Sequence, residues 1–126
     1  MAETFLVVDD SKLARMVVRQ ALRDIHPDCA ILEAATSAEA DRVAGAGALS
    51  AALIDFNMPG EDGLELAARL RACNAGLPIA IISANAQTDV LERTRALGAV
   101  FLEKPVSRDA LAGFVAAPTA AQRRSA

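Results

Sequence analysis

The sequence predicts an α/β fold built on a five-stranded parallel sheet with helices on both faces. Two observations carry this. Five short apolar runs alternate with longer amphipathic stretches, and the runs are apolar at nearly every position rather than at every second one. Strands of that kind belong to sheets covered on both sides. Short β–α connections with right-handed crossovers leave few topologies. The order 2-1-3-4-5 is the economical one, and it sets the first and third strands side by side.

The first strand reads as Thr4–Val8 and ends in Asp9-Asp10. In the following stretch, Ser11–Ile25, the residues Leu13, Val17, Ala21 and Ile25 form an i, i+4 stripe read as the buried face, while Arg15, Arg19 and Arg23 occupy another. His26-Pro27 reads as a loop, with His26 an ordinary surface histidine. The second strand is Ala30–Ala34, and Thr36-x-x-Glu39 is a capping-box start for the second helix. The third strand, Ala51–Ile54, runs into Asp55, and Pro59, Gly60 and Gly63 account for a sharp turn. Asp62-x-x-Glu65 starts the third helix, and Gly76 after Ala75 is its expected stop. The fourth strand, Ile79–Ile82, leads to Ser83-Ala84-Asn85, and Gly98 after Leu97 ends the fourth helix. The fifth strand, Val100–Leu102, leads to Lys104-Pro105, and Ser107 starts the last helix. One domain is expected over residues 1–117, with 118–126 a flexible tail rich in Ala with Pro, Gln, Arg and Ser.

Composition narrows the function. A chain of 126 residues suffices for one independent core. A net charge of −3 and 3% aromatic residues argue against nucleic acid as a partner. No apolar run approaches the roughly 18 residues of a membrane span, and the N-terminus has no basic start followed by an apolar stretch. A cytoplasmic protein is expected. Cys29 and Cys73 lack a Cys-x-x-Cys spacing and read as reduced, packed thiols.

The chemistry lies at one edge of the sheet. Ligands of open parallel sheets bind outside the carboxyl ends of the strands, and the predicted order brings Asp9, Asp10 and Asp55 together there. Three carboxylates repel one another unless protons or a cation intervene. A hard divalent ion such as Mg²⁺, with oxygen ligands, is the simplest neutraliser. Ser83 and Lys104 reach the same edge, so every strand but the second delivers a polar group to it.

The acid pair Asp9-Asp10, Asp55 followed by Met58-Pro59-Gly60 and Asp62-Gly63-Leu64, Ser83-Ala84, and Lys104-Pro105 resemble the receiver domain of bacterial two-component response regulators. The resemblance covers about residues 4–117, with five separated motifs in order. It implies a flavodoxin-like (βα)5 three-layer sandwich. It also implies that Asp55 accepts a phosphoryl group from a phosphohistidine on a histidine kinase or histidine phosphotransfer protein. Asp10 would bind Mg²⁺ directly, Asp9 mainly through water, and the Asn57 main-chain carbonyl would be a further ligand. Lys104 would pair with Asp55 and then with the phosphoryl oxygens. Ser83 and Phe101 would form the switch, Phe101 standing where Tyr is frequent. Asn57 and Asn85 would flank the path of the hydrolytic water and, being small, leave the phosphoform a lifetime of seconds to minutes. Output would be a contact with a downstream protein through residues 88–117, with no enzymatic activity beyond the domain's own phosphorylation and dephosphorylation.

Plainer readings stand beside each role. Asp9 could be a helix cap, Lys104 a structural ion pair, Phe101 core, and Asn57 and Asn85 solvated loop residues. Lys12, Arg15, Arg19 and Arg23 read as a solvated face or as a steering patch for an acidic phosphodonor. With nothing recognisable after residue 117, a stand-alone receiver is expected, and a piece of a larger regulator is the alternative. A degenerate, phosphorylation-independent binding module is one alternative. A haloacid-dehalogenase-type phosphatase wants Asp-x-Asp-x-Thr where this chain has Asp9-Asp10-Ser11-Lys12-Leu13. A flavodoxin-like cofactor carrier lacks its phosphate loop after the first strand.

Overall fold

The computed structural model describes residues 3–45 and 48–116; the expected tail, 118–126, lies outside them. Strands and helices alternate: β1 (Thr4–Val8), α1 (Lys12–Ile25), β2 (Ala30–Ala34), α2 (Ser37–Ala44), β3 (Ala51–Asp55), α3 (Gly63–Cys73), β4 (Ile79–Ser83), α4 (Thr88–Ala96), β5 (Val100–Glu103) and α5 (Arg108–Ala116). All strand pairs are parallel and the order is β2-β1-β3-β4-β5, as the sequence predicts. Three strands run one residue further than their apolar runs, ending on Asp55, Ser83 and Glu103. The ladder carries them: Phe56 N–H donates to the Ile82 carbonyl at 2.8 Å, and Lys104 N–H to that of Ser83 at 2.9 Å. Asp55 and Ser83 are therefore held by strand geometry, not by loops.

The pleat divides the core into two layers. Leu6, Val8, Ile54 and Ile81 face α2, α3 and α4, packing with Ala40, Leu66, Leu70 and Val90. Phe5, Val7, Leu53 and Ile82 face α1 and α5, packing with Val18, Leu22, Leu111 and Phe114. Each fully buried Leu, Ile, Val or Phe contributes about 1.5–3 kcal/mol, which is why near-continuous apolar strands identify this architecture.

Helix α1 corrects the expected stripe. Val18 and Leu22 are its buried residues, whereas Leu13 is 70% and Val17 57% exposed, with Met16 also exposed. Ala21 and Ile25 border both stripes and pack partly against the core, so the i, i+4 reading chose a face rotated by one residue, roughly 100°. The basic face is not simply solvated either. Arg15 Nε and Arg19 Nη1 bridge to the two oxygens of Glu33 on β2 at 3.0 and 2.9 Å.

Side-chain caps start α2, α3 and α5. Thr36 Oγ1 accepts from Glu39 N–H, Asp62 Oδ1 from Glu65 N–H, and Ser107 Oγ from Ala110 N–H. At the end of α4, Gly98 takes φ +77°; its N–H donates to the Arg95 carbonyl and that of Ala99 to Thr94, a Schellman pairing. Gly76 is not the stop of α3, which ends at Cys73 with Asn74 N–H bonded to the Leu70 carbonyl. His26 is half-buried, its ring centroid 5.8 Å from that of Phe5, so the expected surface histidine also packs on that ring. Both cysteines are free, but Cys73 is exposed and only Cys29 is partly packed. Among the described residues no helix is long and apolar enough to cross a membrane.

Candidate functional site

The register builds the site. Val8 pairs with Ile54 across β1 and β3, so the next position along each strand sets Asp9 beside Asp55. One carboxylate oxygen from each of Asp9, Asp10 and Asp55 lies within 4.8 Å of the others. Asp9 and Asp55 are buried, Asp55 only 4% exposed, while Asp10 is exposed. From the end of β5, Lys104 Nζ comes to 3.2 Å from Asp55 Oδ1 and 3.5 Å from Asp9 Oδ2. The Lys104–Pro105 peptide is cis. Asp9 is not the cap of α1: Ser11 is, and Asp9 Oδ1 accepts the Ser11 N–H at 2.9 Å.

The electrostatics follow from burial and crowding. Burial pushes the Asp55 carboxyl above its ordinary value, the neighbouring Asp9 adds to this, and Lys104 with the Asn57 N–H pulls it partway back. Burial pulls the Lys104 ammonium down, yet the Asp55 and Asp9 carboxylates outweigh it and hold lysine above its usual range. Three carboxylates against one ammonium leave two negative charges uncompensated. Asp55 Oδ1 has no well-aligned hydrogen bond in its buried position, only the ammonium close by. An oxygen-only donor set with that surplus fits a hard divalent cation such as Mg²⁺. Asp9, Asp10 and Asp55 are the side chains that would hold it.

Ser83 is buried at the end of β4, where its hydroxyl accepts from Asn85 N–H at 3.2 Å and donates to the Asn85 carbonyl at 3.3 Å. Phe101 is half-buried against the layer that contains Val90 and Ile81. Asn57 and Asn85 are exposed in the loops that follow Asp55 and Ser83.

Two features of the site escaped sequence reasoning. Gly63 is not a turn glycine but the first residue of α3: a Cβ there would lie 2.4 Å from the Asp55 carbonyl oxygen and 3.0 Å from Ile54 Cγ2. The turn itself uses Gly60, at φ +84°. Arg15 is the second: its Nη1 donates to the Asp9 main-chain carbonyl at 2.6 Å. The adjacent acids Glu61 and Asp62 also anchor the loop to different helices. Glu61 binds Arg69 of α3, which also holds Asp41 of α2 at 3.0 Å, and Asp62 binds Arg93 of α4 at 3.0 Å.

Residues 5–116 match the sequence profile of the response regulator receiver domain. The chain belongs to that family. This receiver is 32% identical over 104 residues to the cyclic di-GMP phosphodiesterase response regulator RpfG of Xanthomonas campestris pv. campestris, matching 80% of this chain and 28% of that protein. It is 34% identical over 107 residues to the sensor histidine kinase RcsC of Salmonella typhi, matching 84% of this chain and 11% of that protein. The chain thus spans less than a third of either relative. Among solved structures, the chemotaxis protein CheY4 of Vibrio cholerae superimposes with a TM-score of 0.83 at 25% identity, covering 92% of this chain and 98% of that one. A CheY-like receiver domain protein from Methanospirillum hungatei superimposes over the full length of both chains with a TM-score of 0.88 at 20% identity, a likeness of fold. Receiver domains of two-component systems are phosphoryl-accepting modules, and this chain carries that family's fold and its acidic edge.

Proposed function

We propose that this receiver takes a phosphoryl group onto Asp55 from a phosphohistidine of a histidine kinase or histidine phosphotransfer protein, in a Mg²⁺-dependent reaction that switches a protein-binding face. The observation that carries the reading is Lys104 Nζ at 3.2 Å from an Asp55 oxygen that otherwise lacks a hydrogen bond, inside the acidic trio. An Asp55 oxygen attacks phosphorus, the phosphorus–nitrogen bond breaks, and the donor imidazole leaves with a proton from solvent. Repulsion between the carboxylate and the anionic phosphoryl group is the main obstacle. Lys104 offsets it by following the charge from Asp55 to the phosphoryl oxygens, and burial strengthens that interaction. Bound Mg²⁺, held by Asp10, Asp55, the Asn57 carbonyl and, through water, Asp9, would supply further charge stabilisation.

The Ser83 hydroxyl, now engaged with Asn85, is the group free to turn to a new phosphoryl oxygen, with Phe101 moving into the space released. A full reversal of a 1:99 population would need about 5.5 kcal/mol of differential stabilisation, so a partial shift is expected. The output face is α4, β5 and α5, residues 88–117, where Val100 is an exposed apolar residue. Donor docking is read on α1, where Leu13, Met16 and Val17 form an exposed apolar face next to the acid pair, rimmed by Lys12 and Arg23. Asn57 and Asn85, small and exposed, obstruct hydrolytic water little, and a phosphoform lifetime of seconds to minutes follows. The domain is read as acting in the cytoplasm, with no activity on other substrates.

The test is intact mass after incubation with Mg²⁺ and acetyl phosphate or phosphoramidate. One phosphoryl adduct, absent in EDTA and in Asp55→Ala, is the expected result. No adduct on the wild type would favour a binding module that works without phosphorylation.

A further inference from the structure

Asp10 is the exposed member of the acidic trio, and among the described residues its carboxylate makes no hydrogen bond or ion pair. Something other than side-chain partners must aim it at Asp9 and Asp55. The main chain around it is tightly held. Asp9 N–H donates to the Ala34 carbonyl at 3.1 Å. The Asp9 carbonyl accepts from Arg15 Nη1 at 2.6 Å. Arg15 in turn is fixed by Glu33 Oε1 at 3.0 Å, and Glu33 is steadied on its other oxygen by Arg19. The Arg15 side chain is only 14% exposed, a strong commitment for a residue whose usual place is the surface. Because a peptide unit is planar, fixing the Asp9 carbonyl also fixes the direction in which Asp10 leaves it.

We propose that Arg15 is a positioning residue for the cation: it clamps the Asp9–Asp10 peptide between α1 and β2 so that the Asp10 carboxylate converges on Asp9 and Asp55. The inference rests on the Mg²⁺ site described above and adds to it a residue that touches no reacting atom. Its own charge works the other way. A guanidinium close to the trio repels a divalent cation, so removing it would tighten binding if charge were all that mattered. Positioning and charge therefore predict opposite signs. The two N–H vectors that reach a carbonyl and a carboxylate at once belong to a planar fork that lysine lacks.

The experiment is a Mg²⁺ titration of the wild type, Arg15→Met, Arg15→Lys and Glu33→Gln, followed by calorimetry or by amide chemical shifts, with thermal melts in EDTA alongside. Loss of a partner that orients a ligand costs roughly 10–100-fold in metal affinity, so Arg15→Met is expected to raise the Mg²⁺ Kd about tenfold. Arg15→Lys should recover only part of this. Glu33→Gln, which leaves the guanidinium in place but loosens its aim, should weaken binding by a smaller factor. Unchanged affinity in a destabilised Arg15→Met, or tighter binding, overturns the proposal while leaving the metal site intact. A wild type that binds no Mg²⁺ overturns both.

Discussion

Asp55→Asn should make the metal-free domain more stable, and the structure sets the scale. The Asp9 and Asp55 carboxylates lie within 4.8 Å, which at an effective dielectric near 20 is a repulsion of at least about 3.5 kcal/mol. Lys104 at 3.2 Å from Asp55 returns about 5 kcal/mol on the same scale. That figure must be reduced, because the lysine side chain is 35% exposed and screened by solvent. After the substitution Lys104 also keeps Asp9 at 3.5 Å. The Coulomb contributions nearly cancel, and the desolvation of a buried carboxylate, first among the causes that raise Asp55, remains without an offset. Asn removes it, for an expected gain of about 1–2 kcal/mol, or roughly 4–8 °C in Tm at this chain length. Because the folded-state pKa of Asp55 is raised, the folded protein holds that proton more tightly than the unfolded one. Wild-type stability from this group is therefore present at low pH and lost as pH rises from the ordinary carboxylate value, 3.8, through the raised one. The advantage of Asn should be full above the raised value and shrink as pH falls through it towards 3.8. Mg²⁺ at 100 times its Kd adds about 2.7 kcal/mol to the wild type, enough to reverse the order. The assay is far-UV circular dichroism, since the chain has neither Trp nor Tyr. An Asn variant that melts at or below the wild type in EDTA, with a gap indifferent to pH, would refute the electrostatic account.

Lys104→Met should leave Mg²⁺ binding in place but slow phosphorylation of Asp55 by acetyl phosphate at least tenfold, measured as the rate of adduct appearance by mass; an unchanged rate would reduce Lys104 to a structural ion pair. Gly63→Ala should lower stability by roughly 1–3 kcal/mol, because its Cβ would fall 2.4 Å from the Asp55 carbonyl oxygen; denaturant midpoints at equal slope check this. Replacing Leu13 and Val17 by Ser should slow transfer from a protein phosphodonor severalfold while leaving acetyl phosphate turnover and Tm near wild type, since both side chains are exposed. Equal losses with both donors would remove α1 from the docking reading.

Much of the fold was legible because burial on both faces leaves a plain record: an apolar run that ends abruptly in Asp9, Asp55 or Ser83 marks both strand and site edge. The helix faces were less so. In α1 the alternative stripes share Ala21 and Ile25, so periodicity alone could not tell which neighbours, Leu13 and Val17 or Val18 and Leu22, turn inward. Long-range polar contacts left no local signal at all. Nothing in sequence says that Arg15 reaches past its own helix to Glu33 and the Asp9 carbonyl, or that Asp62, an evident helix cap, also meets Arg93. Gly63 was visible as a glycine but not as a spacer, because the carbonyl it admits belongs to another element.

The segment after Asp55 is tied off at its neck: Gly63 N–H donates to the Phe56 carbonyl at 2.9 Å, next to the last ladder bond from Phe56 to Ile82. What lies between, residues 57–62, is a noose of two kinds of residue: Met58 packs against the core, Glu61 pairs with Arg69 and Asp62 caps α3, while Asn57, Pro59 and Gly60 are exposed. A substitution at exposed Asn57 is expected to leave the sheet and α3 undisturbed, whereas a change at the knot is felt by both. Asn57 and Gly63 thus answer to different demands, the first to the solvent beside Asp55 and the second to the close approach of α3 to β3.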